Sequence, residues 1–258
     1  MKIALTIAGS DSGGGAGIQA DLKTFSRFGV FGTSVITAIT AQNTVGVNRY
    51  SVVAVEMIRA QLEAVASDLR PSAIKSGMLA DTSVVAAVAE GIRRHSLAPY
   101  VLDPVMVSTS GDLLLEPDAV ALIGRELLPL ASLVTPNIDE AVILTGGRVA
   151  DVSAMEIAAK CLVNMGAAAA LVKGGHLRDD MVTDVLWDGT TLTRYNHARL
   201  DTRNTHGTGC TLSAAITAHL ALGDSLLEAV QQSLGYVHRA IALAPGLGAG
   251  HGPLNHLA

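Results

Sequence analysis

A glycine-rich stretch in the C-terminal part of the chain carries a cysteine into the start of a predicted helix. It has the sequence His206-Gly207-Thr208-Gly209-Cys210-Thr211-Leu212-Ser213. Glycines let backbone N–H groups turn toward one point, and the helix N-terminus adds partial positive charge there. We therefore expect an anion hole at Gly207 and Gly209, and a Cys210 thiol whose pKa lies below the free value of about 8.5. The alternative is a plain N-cap loop with a small buried cysteine.

Charged side chains end two of the predicted buried strands. Asp103 precedes Pro104, and a buried carboxylate there is costly unless a cation accompanies it. Lys173 precedes two glycines, where its ammonium would face phosphate oxygens. These positions make Asp103 a candidate magnesium ligand and Lys173 a candidate phosphate ligand. The alternatives are an aspartate that caps a local turn and a lysine whose head reaches solvent.

The motif Asn137-x-x-Glu140 follows Thr135-Pro136 and places both side chains on one face of a starting helix. With Asn137 as N-cap and Glu140 at the third helical position, it predicts a capping box that stabilises the helix by about 1 kcal/mol. Glu140 is also a candidate outer ligand of Mg²⁺ through waters, because magnesium dehydrates reluctantly. Both interpretations can hold at once.

A second glycine-rich loop, residues 9–17, follows the first predicted strand and opens a helix. Gly15-x-Gly17-x-x-Ala20 satisfies a loose dinucleotide-binding pattern. A dinucleotide site also needs an acidic residue about 20 positions further on, at the end of the second strand, and this chain has Gln42 there. No Gly-Lys-Ser or Gly-Lys-Thr occurs, which excludes a Walker A loop. We expect the glycines to let a small ligand approach the backbone, with a simple tight turn as the alternative.

An anion hole, a thiolate-prone cysteine, two carboxylates suited to magnesium and a lysine are together the components of phosphoryl transfer. In that reaction the protein mainly positions groups and neutralises charge. His206 lies beside the cysteine, but its place in a polar loop favours a loop-stabilising role over catalysis.

Strand and helix patterns alternate along most of the chain, which predicts an α/β fold with a mostly parallel central sheet covered by helices on both faces. The predicted strands are residues 3–8, 34–41, 73–76, 100–103, 133–135 and 169–173. The predicted helices are residues 18–28, 57–69, 83–95, 117–128 and 154–165. Ligands of such sheets bind beyond the carboxyl ends of the strands, so the polar residues there are expected to converge.

The remaining segments predict an edge hairpin and two C-terminal helices. Residues 182–187 and 191–195 form the hairpin, joined through Asp188-Gly189. Gly223 is expected to end the first of the two helices, and Ser225-x-x-Glu228 is a capping box for the second.

Composition limits the classes of function. The 258 residues are expected to form a single domain, residues 1–258. A net charge of −5 and an aromatic content of 3% argue against a nucleic-acid partner. The two cysteines, Cys161 and Cys210, have no metal-binding or paired spacing, which fits a reducing compartment. No apolar run suits a signal peptide or a membrane span, so we expect a cytoplasmic protein without a membrane partner.

Motifs along the whole chain resemble bacterial hydroxymethylpyrimidine/phosphomethylpyrimidine kinases. They are Ala4-Leu5-Thr6-Ile7-Ala8-Gly9-Ser10-Asp11, residues 13–25, Thr40-Ala41-Gln42-Asn43-Thr44, Ser76-Gly77-Met78-Leu79, Leu102-Asp103-Pro104-Val105-Met106, Thr135-Pro136-Asn137, Lys173-Gly174-Gly175-His176, residues 204–210 and Gly252-Pro253. The resemblance implies a ribokinase-like fold and two ATP-dependent steps of thiamine biosynthesis. The first phosphorylates 4-amino-5-hydroxymethyl-2-methylpyrimidine, and the second converts its monophosphate to the diphosphate.

The same resemblance assigns roles to individual residues. It implies Cys210 as the general base, with Gly207 and Gly209 as the anion hole, and ATP and Mg²⁺ as cofactors. The implied metal residues are Asp103 and Glu140, and the implied nucleotide-binding residues are Asn137, Lys173 and Thr208. The implied substrate-binding residues are Gln42, Asp21, Met78 and Val105. The amide of Gln42 offers a donor and an acceptor that match a ring nitrogen and the exocyclic amine.

Two other functions remain open at this point. A pyridoxal kinase on the same scaffold would also act on a hydroxymethyl-bearing aromatic ring, although Gln42 favours the aminopyrimidine. A catalytically silent pyrimidine-binding regulator is the second alternative, although the intact candidate residues argue against it. We also expect a homo-oligomer, specifically a dimer, although the residues themselves do not give the oligomeric state.

Overall fold

Strands of the described chain form one large sheet and one small one. The computed structural model describes residues 1–107, 111, 114–175, 177 and 181–258. The strands are β1 (Ile3–Ala8), β2 (Phe31–Ile36), β3 (Ala38–Gln42), β4 (Val47–Val52), β5 (Ala73–Ser76), β6 (Tyr100–Leu102), β7 (Leu133–Val134), β8 (Ala170–Val172), β9 (Met181–Trp187) and β10 (Leu192–Ala198). The large sheet has the order β10-β9-β8-β7-β6-β5-β1-β2, and β3 pairs with β4 in the small sheet.

Helices cover both faces of the large sheet. They are α1 (Gly17–Arg27), α2 (Val55–Asp68), α3 (Thr82–His95), α4 (Pro117–Leu122), α5 (Ile138–Thr145), α6 (Val152–Asn164), α7 (Thr208–Leu222) and α8 (Leu226–Ala242). Alternate strand residues point to opposite faces. Accordingly, Leu5 and Ile74 pack in a core with α2 to α6, whereas Ala4 and Ala73 pack against α1 and α7. Helix α8 packs on the same face as α7.

The mostly parallel sheet and the edge hairpin confirm the predicted fold class. Strands β1, β2, β5, β6, β7 and β8 are parallel to their neighbours in that set. The hairpin β9–β10 is antiparallel and continues the sheet from β8. Gly223 ends α7 with a φ of 103°, and Ser225 and Glu228 form the predicted capping box of α8.

The prediction of one strand over residues 34–41 is wrong. Strand β2 ends at Ile36, and Thr37 instead donates its hydroxyl to the carbonyl of Met78 at 2.7 Å. The chain then leaves the large sheet and pairs antiparallel with β4. The sequence of β4, Val47-Asn48-Arg49-Tyr50-Ser51-Val52, is too polar to resemble a buried strand, so its pairing was missed.

The predicted helix over residues 117–128 is also shorter than expected. Helix α4 ends at Leu122 and continues as a π-helical turn (Ile123–Leu127) and a 3₁₀ turn (Leu128–Leu130). Pro129 lies in the last turn and has no N–H with which to extend an α-helical ladder. Within the described residues, no helix combines the length and apolar character that crossing a membrane requires.

Candidate active site

A cavity of about 730 Å³ lies beyond the carboxyl ends of the parallel strands. The structure brings eleven of the twelve sequence-predicted site residues to its walls. They are Gln42, Met78, Asp103, Val105, Asn137, Glu140, Lys173, Gly207, Thr208, Gly209 and Cys210. The twelfth, Asp21, does not line this cavity. His176, which belongs to one of the quoted motifs, lies outside the described residues.

The start of α7 requires both of its glycines. Gly207 is the N-cap residue and has a φ of 81°, and a Cβ there would collide with the carbonyl oxygen of Gly15. A Cβ on Gly209 would lie 3.1 Å from the Lys173 ammonium nitrogen. Glycine at these positions therefore lets the N-terminus of α7 approach both the N-terminal loop and the lysine, as an anion hole requires.

A buried hydrogen bond joins the two glycine-rich loops. The Nε2 atom of His206 lies 2.8 Å from Oδ2 of Asp11, and that carboxylate also accepts N–H groups of Gly13, Gly15 and Ala16. Burial alone would raise the pKa of Asp11, but the His206 and backbone hydrogen bonds outweigh it and lower that pKa. This geometry confirms the loop-stabilising interpretation of His206. Asp11 was not predictable as its partner, because the two residues lie 195 positions apart in the sequence.

Asp103 lines the cavity together with two other charged residues, Glu140 and Lys173. It is 1% exposed, and its Oδ1 lies 3.2 Å from Nζ of Lys173. Thr135 and Ser213 donate their hydroxyls to its two oxygens at 3.4 and 3.2 Å. Burial lowers the pKa of Lys173, but the charges of Asp103 and Glu140 more than compensate and raise it. Lys173 is therefore an ammonium at neutral pH, as a phosphate-binding lysine must be.

Glu140 forms the predicted capping box and also borders the cavity. Its Oε2 accepts the N–H of Asn137 at 2.8 Å, and its own N–H donates to Oδ1 of Asn137 at 2.9 Å. Burial and, less strongly, the charge of Asp103 raise the pKa of Glu140 to about 7, against the opposing effect of Lys173. Two carboxylates around one ammonium leave excess negative charge on this wall. That excess suits a divalent cation.

The donor set fits magnesium held largely through water. Asp103 and Glu140 already accept protein hydrogen bonds, so few of their lone pairs are open to direct ligation. Magnesium keeps several waters and combines one or two carboxylates with substrate phosphates. Among the described parts of the chain, no three His, Cys, Asp or Glu side chains gather closely enough to hold an ion by themselves.

The prediction of a lowered Cys210 pKa is wrong. The side chain lies in the first turn of α7 and is half-buried. Burial raises the pKa of the Cys210 thiol to about 12, although Lys75 and the N–H of Gly17 act in the opposite direction. The loss of hydration therefore outweighs the favourable helix N-termini.

Asp21 does not contact the cavity as a substrate-binding residue would. Its carboxylate is fully buried on α1 and pairs with Nζ of Lys75 at 2.9 Å. Thr6 donates its hydroxyl to the other carboxylate oxygen at 2.6 Å. Lys75 was not among the predicted site residues, and it lies inside a run that was predicted as a buried strand. A lysine in such a run was the available signal, because a buried charge needs a partner.

The three remaining substrate-side candidates, Gln42, Met78 and Val105, also line the cavity. Gln42 ends β3, in the small sheet rather than at the end of the second strand of the large one. Its Oε1 accepts a hydrogen bond from the Thr40 hydroxyl at 3.3 Å, and its backbone N–H donates to the Ser12 hydroxyl at 2.8 Å. Met78 and Val105 border the same space and supply apolar surface.

Comparisons with known proteins agree with this geometry. A hydroxymethylpyrimidine/phosphomethylpyrimidine kinase of Rhizobium meliloti is 56% identical, covering 98% of this chain and 96% of that protein. The thiamine biosynthesis bifunctional protein ThiED of Geobacter sulfurreducens is 47% identical, covering 98% of this chain and 52% of that protein. The ADP complex of a Bacillus subtilis pyridoxal kinase has a TM-score of 0.93 and 38% identity, covering 99% of this chain and 97% of that one.

The fold and its cavity, together with these likenesses, define the chain as a kinase with the ribokinase-like fold. The family model described as phosphomethylpyrimidine kinase matches residues 11–255. The chain belongs to the phosphomethylpyrimidine kinase family.

Proposed function

We propose that this chain uses ATP to phosphorylate 4-amino-5-hydroxymethyl-2-methylpyrimidine and then converts the monophosphate to the diphosphate, in thiamine biosynthesis. The names of the Rhizobium and Geobacter relatives support both steps and the pathway. The observation that carries the proposal is the shared cavity, which joins the helix start at Gly207–Cys210 to Gln42. Its volume suits a small aromatic substrate together with nucleotide phosphates.

In the first step, the substrate hydroxyl gives its proton to the Cys210 thiolate while its oxygen bonds to the γ-phosphorus of ATP. The bond between that phosphorus and the bridging oxygen breaks, and ADP leaves with the electron pair. Backbone N–H groups of Gly207 and Gly209 and the ammonium of Lys173 stabilise the charge of the transferred group. Thr208 and Asn137, which border the cavity, contact the nucleotide phosphates.

Asp103 and Glu140 are the residues that would hold Mg²⁺, mainly through its waters. The ion supplies charge neutralisation of the ATP phosphates when bound. Lys173 pairs with Asp103 at the cavity wall and balances the charge of one of the two carboxylates. Burial is the main cause of the raised Glu140 pKa, and a cation bound there would favour the ionised carboxylate.

Gln42 recognises the aminopyrimidine edge, and Met78 and Val105 pack on the ring. A side-chain amide offers one donor group and one acceptor, which the ring nitrogen and amine of the pyrimidine complement. Asp21 acts indirectly, because its carboxylate is buried behind the wall. The apolar contacts bind any flat heterocycle of similar size, so Gln42 carries the discrimination.

A second candidate substrate is pyridoxal, because the chain is similar to a solved pyridoxal kinase. The direct experiment supplies ATP and magnesium with either the pyrimidine or pyridoxal and identifies the products by mass spectrometry. We expect the pyrimidine monophosphate and then the diphosphate. Phosphorylation of pyridoxal alone would overturn the assignment, and absence of any ATP turnover would favour the non-catalytic regulator.

The discriminating variant is Gln42→Met. It leaves the substrate's polar edge unpaired and is expected to cost about 1 to 3 kcal/mol in kcat/KM for the pyrimidine, with a smaller loss for pyridoxal. Val45→Ala, on the exposed turn between β3 and β4, is a matched control that should leave both values near wild type. Equal losses on both substrates in Gln42→Met would remove Gln42 as the discriminating residue.

The cellular setting is part of the same proposal. Use of ATP and two free cysteines, Cys161 and Cys210, support a cytoplasmic enzyme. We propose that residues 1–258 act as one kinase domain and that the protein assembles as a dimer. Size-exclusion chromatography with light scattering gives the mass of the assembly, and a monomer would contradict that expectation.

A further inference from the structure

A lysine lies in the middle of the large sheet. Lys75 belongs to β5, whose neighbours are β1 and β6, and its side chain is 0% exposed. Its ammonium contacts the Asp21 carboxylate, which is also 0% exposed. Thr6 on β1 completes the cluster through its hydrogen bond to Asp21. The three side chains form a sealed polar unit, the Lys75 cluster, between the sheet and α1.

Stability alone does not account for the Lys75 cluster. Burying two charges costs free energy, and apolar residues of similar volume often serve equally well or better in such places. The buried residues Ala73 and Ala4 on the same face of the sheet are apolar, so a hydrophobic replacement would suit this region. The position of the ammonium relative to the cavity supplies another role.

The Lys75 cluster lies directly behind the wall that carries Cys210. Gly17, the first residue of α1, lines the cavity together with Cys210, and its N–H favours the thiolate. Asp21 lies four residues further along α1, which is one helical turn below Gly17 on the same face. Gly77 borders the cavity, and a Cβ there would lie 3.7 Å from Nζ of Lys75. The ammonium therefore lies behind a thin wall of backbone.

We propose that Lys75 is a positioning residue for phosphoryl transfer, whose buried ammonium, held by Asp21 and Thr6, is the counter-charge that stabilises the Cys210 thiolate from behind the cavity wall. This inference rests on the proposed function, in which Cys210 accepts the substrate proton. Lys75 itself touches neither substrate nor nucleotide, because it does not line the cavity.

The charges that act on Cys210 have opposite signs. Lys75 on β5 and Lys173 after β8 favour the thiolate, whereas Asp21 on α1 and Asp103 after β6 oppose it. The N-termini of α1 and α7 also favour the thiolate. Burial lowers the pKa of Lys75, but Asp21, Cys210 and Asp103 outweigh burial and raise it, so the ammonium persists at neutral pH. Removing the Lys75 charge must therefore decrease the thiolate fraction of Cys210, and removing the Asp21 charge must increase it.

The test measures alkylation of Cys210 by iodoacetamide in the full-length, ligand-free protein. The reagent is uncharged, and its rate at one fixed, mildly alkaline pH follows the thiolate fraction. Lys75→Met is expected to slow alkylation by at least about threefold, and Asp21→Asn to accelerate it by a similar factor. These factors are modest because a Cys210 thiolate of higher pKa is less abundant but more nucleophilic. Peptide mass spectrometry separates Cys210 from Cys161, which lies on α6 and serves as the internal control.

A structural disturbance would change the alkylation rate in the same direction in both variants. Two increases or two decreases would therefore overturn the proposal, as would unchanged rates. If Lys75→Met does not fold, the double variant Lys75→Met/Asp21→Asn replaces it. That protein must alkylate more slowly than Asp21→Asn alone, and an equal or faster rate contradicts the proposal. Alkylation uses no substrate, so its outcome is independent of whether the pyrimidine is phosphorylated.

Discussion

Two lysine–aspartate pairs flank the start of α7, and they differ in their access to the cavity. Lys75 and Asp21 are both 0% exposed, whereas the side chains of Lys173 and Asp103 are 15% and 2% exposed. Lys173 lies just after a strand and borders the cavity, while Lys75 lies within a strand and does not.

This difference in exposure separates two uses of a lysine–aspartate ion pair. A lysine at the cavity wall can bind the transferred phosphate directly, and its carboxylate partner can hold the waters of a metal ion. A sealed pair can act on the reaction only through its electric field, which is strong where water is excluded. The charges of both pairs act on Cys210, so its chemistry depends on both.

The largest effect is expected from Cys210→Ala. Loss of the proton acceptor should reduce turnover by about 10² to 10⁴, while ATP binding stays largely intact. Steady-state kinetics and calorimetric ATP titration measure the two quantities. Cys161→Ala is the matched control and should retain wild-type turnover, because Cys161 lies on α6 away from the cavity. Near-native turnover in Cys210→Ala would remove the cysteine from the mechanism.

Lys173→Met is expected to reduce kcat by about 10² to 10³, because its ammonium stabilises charge that develops during transfer.

Lys75→Met should reduce kcat less, by about tenfold for each unit by which the Cys210 pKa rises. In a Cys210→Ala background, Lys75→Met should have no further effect, whereas Lys173→Met should still lower the residual rate. An additional loss from Lys75→Met in that background would show that its role does not pass through the thiol.

A smaller effect is expected from the pH dependence of magnesium binding. Burial raises the pKa of Glu140 to about 7, above its ordinary value of 4.5, so the carboxyl is largely protonated below pH 7. Binding of a cation requires the ionised form, and the apparent affinity for magnesium with ATP should therefore rise as the pH increases through about 7 and level off above it. Calorimetric titrations on either side of that pH measure the change.

Glu140→Gln should bind magnesium and ATP more weakly and without this pH dependence, because the amide does not titrate. Asp139→Asn changes the neighbouring residue, for which we assign no magnesium role, and should keep the wild-type pH profile. Retention of the full pH dependence in Glu140→Gln would assign the titration to another group.

Residues that follow strands were predictable from the sequence, because the rule for parallel sheets places ligands at the carboxyl ends. Asp103, Asn137 and Lys173 satisfy this rule, and the structure brings all three to one cavity. Local capping also follows from nearby residues, and Glu140 and Glu228 form their capping boxes as predicted.

Features that depend on distant partners were not predictable. Lys75 and Asp21 are 54 residues apart, and nothing local to either residue indicates the other. Strand β3 leaves the large sheet because of contacts with β4, which has little apolar pattern of its own. The raised pKa of Cys210 reflects burial by the assembled fold, whereas the sequence shows only the helix N-terminus that would lower it.

The central claim is that a scarce Cys210 thiolate, supported by both lysines, accepts the substrate proton. The most direct measurement is the pH dependence of the rate of phosphoryl transfer to the pyrimidine in a single turnover, at saturating ATP and magnesium. Because the pKa of Cys210 is about 12, the rate should rise about tenfold per pH unit across the neutral and mildly alkaline range. A rate that stays flat with pH while Cys210→Ala remains impaired would contradict proton transfer to the thiolate.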